Sequence, residues 1–323
     1  MSPTLTDEGP AVGGPAVAPE DQPASPRALT PYATLKRVVL LFNPMSGSVG
    51  PHAEAEARSI FADYAIDAEI HALDDHFDQT IAAAFDSRPD ALFVLAGDGT
   101  ARAVAAAAGP DGPLVAPLPG GTMNMLPKAL YDTADWKIAL RRALEEGEPQ
   151  FVAGGRINDH DPFFCAAILG SPALWAPARE ALRAGKLKLA WSYAHQAIKR
   201  AFSGRLRYSL DDARRRRTGS LALISPVISK AMDESCGLEA AAMDPAGASE
   251  TLRMAAHALF DDWRRDPAVS THPARRIAVS ARSQIPAVID GEPIVLGREA
   301  DIVFLPRAFR TLAPRPTPDE TDA

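Results

Sequence analysis

In the first half of the chain, short unbroken apolar runs alternate with stretches whose apolar positions recur every three or four residues. Val38-Val39-Leu40-Leu41-Phe42, after Arg37, is the first run, and Ala91-Leu92-Phe93-Val94-Leu95-Ala96 and the segment 113–119 are two more. Runs without alternation mark strands covered on both faces. Between them Ala57, Ile60, Phe61 and Tyr64 fall at i, i+3, i+4 and i+7, the spacing of a helix with one buried face. Ala68, Ile70 and Ala72 alternate as a strand does, 80–85 reads as part of a second helix, and the alanine-rich 101–108 as a third. Strands alternating with helices imply a parallel sheet with right-handed crossovers, whose ligands bind at the carboxyl ends of the strands.

Three turn-rich loops follow strands in this half: Asn43-Pro44-Met45-Ser46-Gly47, Gly97-Asp98-Gly99-Thr100 and Gly120-Gly121-Thr122-Met123-Asn124. In the second, the glycines allow a ligand close to the backbone, Asp98 supplies a carboxylate, and Thr100 is expected to cap the helix that follows. A helix N-terminus offers free N–H groups and the positive end of a dipole, which suits phosphate. Taken alone, the same four residues read equally well as a plain strand–turn–helix connection, and the third loop as a helix cap.

After about Glu148 the pattern changes. Segment 154–158, the run around Phe164, the alternation Leu206-Tyr208-Leu210, and segments 221–228, 277–279 and 287–295 read as short strands, and 175–202 and 248–264 as helices. Short strands in succession predict an antiparallel second domain. The expected fold class is therefore α/β, a parallel-sheet domain over 34–150 and a mainly antiparallel domain over 151–299. Residues 300–312 are expected to pack back on the first. Segments 1–33 and 313–323, rich in Pro, Ala, Thr and acidic residues, read as disordered tails.

Composition narrows the function. A net charge of -7 over 323 residues argues against a nucleic-acid partner. Cys165 and Cys236 form neither a disulfide framework nor a zinc site, and Cys165 sits in an apolar run as a small hydrophobe. The seven histidines lack metal-ligand spacing. The first residues lack the basic and apolar regions of a secretory signal, and no apolar run approaches the ~20 residues of a membrane span. The expectation is a cytoplasmic protein that does any membrane work from the surface.

The three loops, in this order, with Asp290-Gly291-Glu292 far downstream, resemble the diacylglycerol kinase catalytic-domain family of lipid kinases, which includes bacterial lipid kinases, sphingosine kinases and ceramide kinases. The resemblance extends from about Leu35 to Leu305. It implies that the first domain is a nucleotide-binding α/β domain and the second is β-sandwich-like, with magnesium-dependent transfer of the ATP γ-phosphoryl group to a lipid alcohol in a cleft between them. Asn43, Pro44, Ser46, Gly47, Gly97, Asp98, Gly99, Thr100, Gly121, Thr122 and Asn124 would then bind nucleotide. Asp98 would meet magnesium directly or through water, Asp290 would be a positioning or metal-linked neighbour, and Asp233 matches a family aspartate at a structural magnesium site. Glu292 is the expected general base, with Asp98 as its catalytic companion. Locally, 288–295 also reads as a β-hairpin with an Asp-Gly turn, and the two readings are compatible.

The chain departs from the family pattern in places. Ala96 replaces a glycine, Met125-Leu126-Pro127 replaces a polar continuation, and Asp233-Glu234 lacks the glycine that usually follows. Arg214, Arg215, Arg216 and Arg217, with Lys186, Lys188, Lys199, Arg200, Arg205 and Arg207, form a basic concentration in an acidic chain, either a solvated loop or a site for the anionic inner face of a membrane. The competing functions are an NAD kinase-like small-molecule kinase and an inactive lipid-binding regulator; retention of both Asp98 and Glu292 argues against the latter. A homodimer is left open.

Overall fold

The computed structural model describes residues 35–74, 76–170, 205–229, 236–244 and 269–315. Both tails as far as 34 and from 316, the helices expected at 175–202 and 248–264, and Asp233, Glu234, Lys186, Lys188, Lys199 and Arg200 lie outside them.

In the first half, β1 (Arg37–Phe42), α1 (Ala53–Ala62), β2 (Asp67–Ala72), α2 (Phe77–Asp86), β3 (Ala91–Ala96), α3 (Asp98–Ala108) and β4 (Leu114–Pro119) alternate, and α4 (Met125–Tyr131) and α5 (Trp136–Glu145) follow. The four strands form a parallel sheet in the order β2-β1-β3-β4. Alternate residues of the apolar runs go to opposite faces. Leu40, Phe93 and Leu118 join Ile60 and Phe61 of α1 and Leu140 of α5, whereas Leu41, Val94 and Val115 join Ile81 of α2 and Val104 of α3. Both faces are covered, which is why the runs carry no polar alternation. Pro117 and Pro119 fit in β4 because it is an edge strand, where a missing N–H costs nothing.

Sequence patterning missed α5, whose N-terminus is capped by Asp135 accepting from the amides of Lys137 and Ile138 at 2.8 and 3.4 Å. It also placed the cap of α3 wrongly. The helix starts at Asp98 with Gly97 as N-cap and no side-chain cap, so Thr100 lies inside the first turn.

The second half begins with β5 (Glu148–Ile157), β6 (Ala166–Gly170), β7 (Leu206–Leu210), β8 (Arg216–Thr218), β9 (Ser220–Ile224) and β10 (Leu238–Met243). It closes with β11 (Val269–Ala274), β12 (Arg276–Ser280), β13 (Ile285–Ile289), β14 (Glu292–Leu296) and β15 (Glu299–Ala313). They build two sheets, β11-β10-β9-β6-β13-β14 and β5-β15-β12-β7-β8, antiparallel throughout among the described pairings. Leu169, Leu223, Ala287 and Ile289 of the first sheet share a core with Ile157, Tyr208, Ile277 and Phe304 of the second.

β5 and β15 pair along most of their lengths, with a register shift between Leu305 and Phe309. Beyond that shift, Phe309 joins the core beside β3 and α3, and Leu312 joins the one beside α5. Thr311 Oγ1 donates to Val115 O at 2.8 Å and Tyr131 Oη to Leu312 O at 2.7 Å, pinning the end of β15 to β4 and α4. These contacts fix where strand ends of one half meet those of the other.

Candidate functional site

The three loops after β1, β3 and β4 are bound to one another. Asn43 N donates to Leu95 O at 3.0 Å, seating the first loop beside the end of β3. Asn43 Oδ1 is not turned outward; it accepts from Met45 N at 2.9 Å and closes a local turn. Ser48, which sequence reasoning passed over, ties the first loop to the third: its amide donates to Gly120 O at 3.0 Å and its hydroxyl to Gly121 O at 2.7 Å. Gly47 approaches the Thr122 hydroxyl. Pro44 is exposed and Ser46 half-buried at the loop tip.

Asp98 joins the second loop to the third. Its Oδ2 accepts from Asn124 N at 2.8 Å and its Oδ1 from Met125 N at 3.0 Å, so it caps α4 from a neighbouring helix. Asn124, buried and left-handed at φ 52°, spends its side chain on Gly121, accepting from that amide at 2.7 Å and donating to that carbonyl at 2.9 Å. The approach requires glycine at 121, since a Cβ there would meet Gly97 Cα at 2.8 Å. Burial pushes the Asp98 carboxyl above the usual carboxylate range, against the opposing pull of those amides and of Lys128.

Above this platform α3 begins with no side-chain cap. The amides of Asp98, Gly99 and Thr100 in its first turn therefore face outward as a ready anion site.

Across the gap stands the β13–β14 hairpin, whose turn residues Asp290 and Gly291 have φ of 46° and 90°. Two consecutive left-handed residues give the tight hairpin turn that the Asp-Gly pair favours. Asp290 is a scaffold residue. Oδ2 accepts from Phe164 N at 2.8 Å, and Oδ1 from Cys165 N and Ala166 N at 2.9 Å each. Burial raises its carboxyl above the usual range despite these amides and the Arg102 charge. Buried Cys165 is driven well up by burial and, less, by the charges of Asp290 and Asp98, leaving an inert thiol.

The turn aims Glu292 at α3. A Cβ at Gly99 would collide with Glu292 Oε1, so this glycine is needed for the carboxylate to reach the helix end. Glu292 Oε2 accepts from Arg102 Nη2 at 2.5 Å, and Arg102 Nη1 reaches Ile289 O at 3.4 Å. Arg102 went unnoticed in the sequence; the available signal was a lone cation in an alanine-rich helix, one turn past Asp98.

A family model for the diacylglycerol kinase catalytic domain covers β1 through most of β5. Residues 37–153 match the diacylglycerol kinase catalytic domain. That match contains all three loops, Asp98 and Arg102, and stops short of Asp290 and Glu292. Among solved structures, a diacylglycerol kinase from Bacillus anthracis strain Sterne is similar in fold, with a TM-score of 0.66, 18% identity, and coverage of 87% of this chain and 98% of that one. A yeast NADH kinase complexed with NADH gives a TM-score of 0.48 at 13% identity, over 89% of this chain and 85% of that one. No curated protein matches the chain.

Among the described residues no group of three or more His, Cys, Asp or Glu side chains converges to hold a metal. Of the three aspartates considered for magnesium, Asp233 lies outside the described residues and Asp290 is held by the amides of Phe164, Cys165 and Ala166. Asp98 lies at the loops and accepts the amides that open α4, and a carboxylate has about four lone-pair sites, so accepting capacity remains. A phosphate-bound magnesium, which keeps most of its waters, needs one or two protein carboxylates, so this donor fits.

Arg214, Arg215, Arg216 and Arg217 are exposed where β7 turns into β8, and Arg217 pairs directly opposite Arg207. Arg205 forms an ion pair with Asp244 at 3.2 Å. No described helix is long and apolar enough to cross a membrane.

Proposed function

We propose that the protein transfers the γ-phosphoryl group of ATP to the hydroxyl of a lipid alcohol such as diacylglycerol or ceramide. The observation that carries this reading is the Glu292 carboxylate standing against the uncapped first turn of α3. From there it can take a proton from a hydroxyl approaching phosphate on those amides. The first-turn amides of α3, with loops 43–47 and 120–124 behind them, receive the triphosphate. Magnesium, held at Asp98 directly or through water, neutralises phosphate charge when bound. Glu292 accepts the proton as the acceptor oxygen bonds to the γ-phosphorus, the bond from that phosphorus to the bridging oxygen breaks, and ADP leaves with the electron pair. Asp98 and Asp290 hold the two sides of the gap in place.

The exposed arginines of the β7–β8 hairpin support docking on an anionic membrane surface, from the cytoplasmic side. Like charges placed directly opposite on paired strands destabilise the pair, and Arg207 with Arg217 invites an anionic counterpart. Each such cation contributes about 1 kcal/mol near an anionic surface.

The test is γ-labelled ATP offered with a panel of diacylglycerol, ceramide and a sphingoid base in mixed micelles, with NAD as a soluble control. Label in a lipid product is expected; label in NAD alone, or in none, contradicts the reading. Sedimentation with phosphatidylglycerol vesicles tests docking. Replacing residues 214–217 by alanine should abolish binding there while leaving turnover in micelles intact.

A further inference from the structure

We propose that Arg102 is an anion-exchange switch at the nucleotide site: it clamps Glu292 when the site is empty and trades that carboxylate for the terminal phosphate when a nucleoside triphosphate enters. This rests on the kinase reading above and adds a residue and a control step to it.

The geometry begins with the helix. Side chains on an α-helix lean toward its N-terminus, so a residue one turn into α3 is carried back over the first turn. Arg102 is that residue, four positions after Asp98, and its guanidinium meets Glu292 at the helix mouth rather than reaching solvent. The arginine side chain is 19% exposed, against 50% for Glu292. The pair joins the two halves of the molecule, and the second contact, Nη1 to Ile289 O, ties the guanidinium to the hairpin that carries the carboxylate.

In this arrangement Oε2 of Glu292 is held by Arg102, and Oε1 lies against Gly99 at the end of the helix dipole. While Oε2 stays bound there, the carboxylate is turned to the guanidinium rather than to an incoming hydroxyl. One carboxylate therefore serves as the anion for two positive groups, the guanidinium and the uncapped helix turn. A terminal phosphate satisfies both better, because it carries more charge and more acceptor oxygens, and the planar guanidinium fork fits it with two parallel bonds. Phosphate on the α3 amides draws Arg102 to itself and displaces the carboxylate that it repels. Glu292 is thereby freed for the hydroxyl only when there is a phosphoryl group to transfer.

The experiment is calorimetric titration of ATP and of ADP, with magnesium, into the full chain. The proteins are wild type, Arg102→Ala, Arg102→Lys, Glu292→Gln and the Ala/Gln double variant, with thermal unfolding run on each. Wild type is expected to prefer ATP over ADP. Arg102→Ala should lose about tenfold in ATP affinity with little change for ADP, since a charge-assisted contact is removed. Arg102→Lys should recover part of the loss. Glu292→Gln should bind ATP several-fold more tightly than wild type, because the competing anion is gone, and the double variant should show no such tightening. A merely structural clamp would move none of these ratios. Equal ATP affinity in wild type and Arg102→Ala, or no tightening in Glu292→Gln, overturns the proposal. Should Arg102→Ala fail to fold, Arg102→Lys decides it: an ATP-to-ADP affinity ratio equal to wild type overturns the proposal. Absence of ATP binding by wild type would instead refute the kinase reading itself.

Discussion

The turn that opens α3 and the turn between β13 and β14 face each other across the gap, and each contains an aspartate beside glycine. In both, the aspartate accepts backbone amides from a neighbouring segment: Asp98 from Asn124 and Met125, Asp290 from Phe164, Cys165 and Ala166. The difference lies one step further on. From Asp98 the chain is helix and offers amides; after Gly291 it becomes strand and offers the Glu292 carboxylate. One side presents backbone amides and the other a carboxylate. The shared aspartates hold those two surfaces at their proper separation. In these two glycine turns the aspartates shape the backbone, and the carboxylate that faces the gap is Glu292.

This division can be broken experimentally. Asp290→Ala would leave three amides without their acceptor and should lower stability by about 3 kcal/mol, read by urea unfolding. An unchanged midpoint would deny Asp290 its scaffold role. Glu292→Asp should leave the midpoint alone while retracting the carboxylate from Gly99, with a loss in kcat of roughly a hundredfold in the lipid phosphorylation assay. Gly99→Ala crowds the first-turn amides where phosphate would sit, and about a tenfold loss of kcat is expected at nearly unchanged stability, since the group the Cβ meets is the flexible end of the Glu292 side chain.

Acid titration sharpens the contrast further. Burial raises the carboxyls of Asp98 and Asp290, so the folded state takes up their protons first, and their contribution to stability grows as pH falls through the raised values. Asp90 has the opposite sign. Burial pushes it up, but the amides of Arg37 and Lys36, at 2.9 and 2.7 Å, outweigh that and hold it below the usual range. Its contribution is present above the ordinary aspartate range and is lost as pH falls through the lowered value. Asp90→Asn should remove that acid-side loss, an effect of about 0.5 kcal/mol at this exposed position, read from unfolding midpoints between neutral pH and pH 3.

The parallel sheet was legible because β1 and β3 are buried on both faces, and that condition writes itself into sequence as unbroken apolar runs. The antiparallel half was legible only as a class. β8 is three residues long, β10 is half alanine, and β5 and β15 are far apart in the chain yet pair closely, so their lengths follow from partners that no local pattern names. In the site, the three loops and the late Asp-Gly-Glu stood out as turn chemistry. The bonds among them did not. Ser48 and Arg102 act through partners 73 and 190 residues away, and Asp98 and Asn124 look like ligand groups in sequence but spend their polar atoms on backbone. Hydrogen bonds of that span depend on tertiary placement, which short-range spacing does not encode.

The central claim is that Glu292 acts on the acceptor hydroxyl while the remaining carboxylates hold the gap. It is tested most directly by the rate of transfer from γ-labelled ATP to a lipid alcohol at saturating concentrations of both, for wild type and Glu292→Gln. The account predicts a loss of 10²- to 10⁴-fold in the variant, with its unfolding midpoint unchanged and ATP still bound. Transfer by Glu292→Gln at the wild-type rate would contradict it.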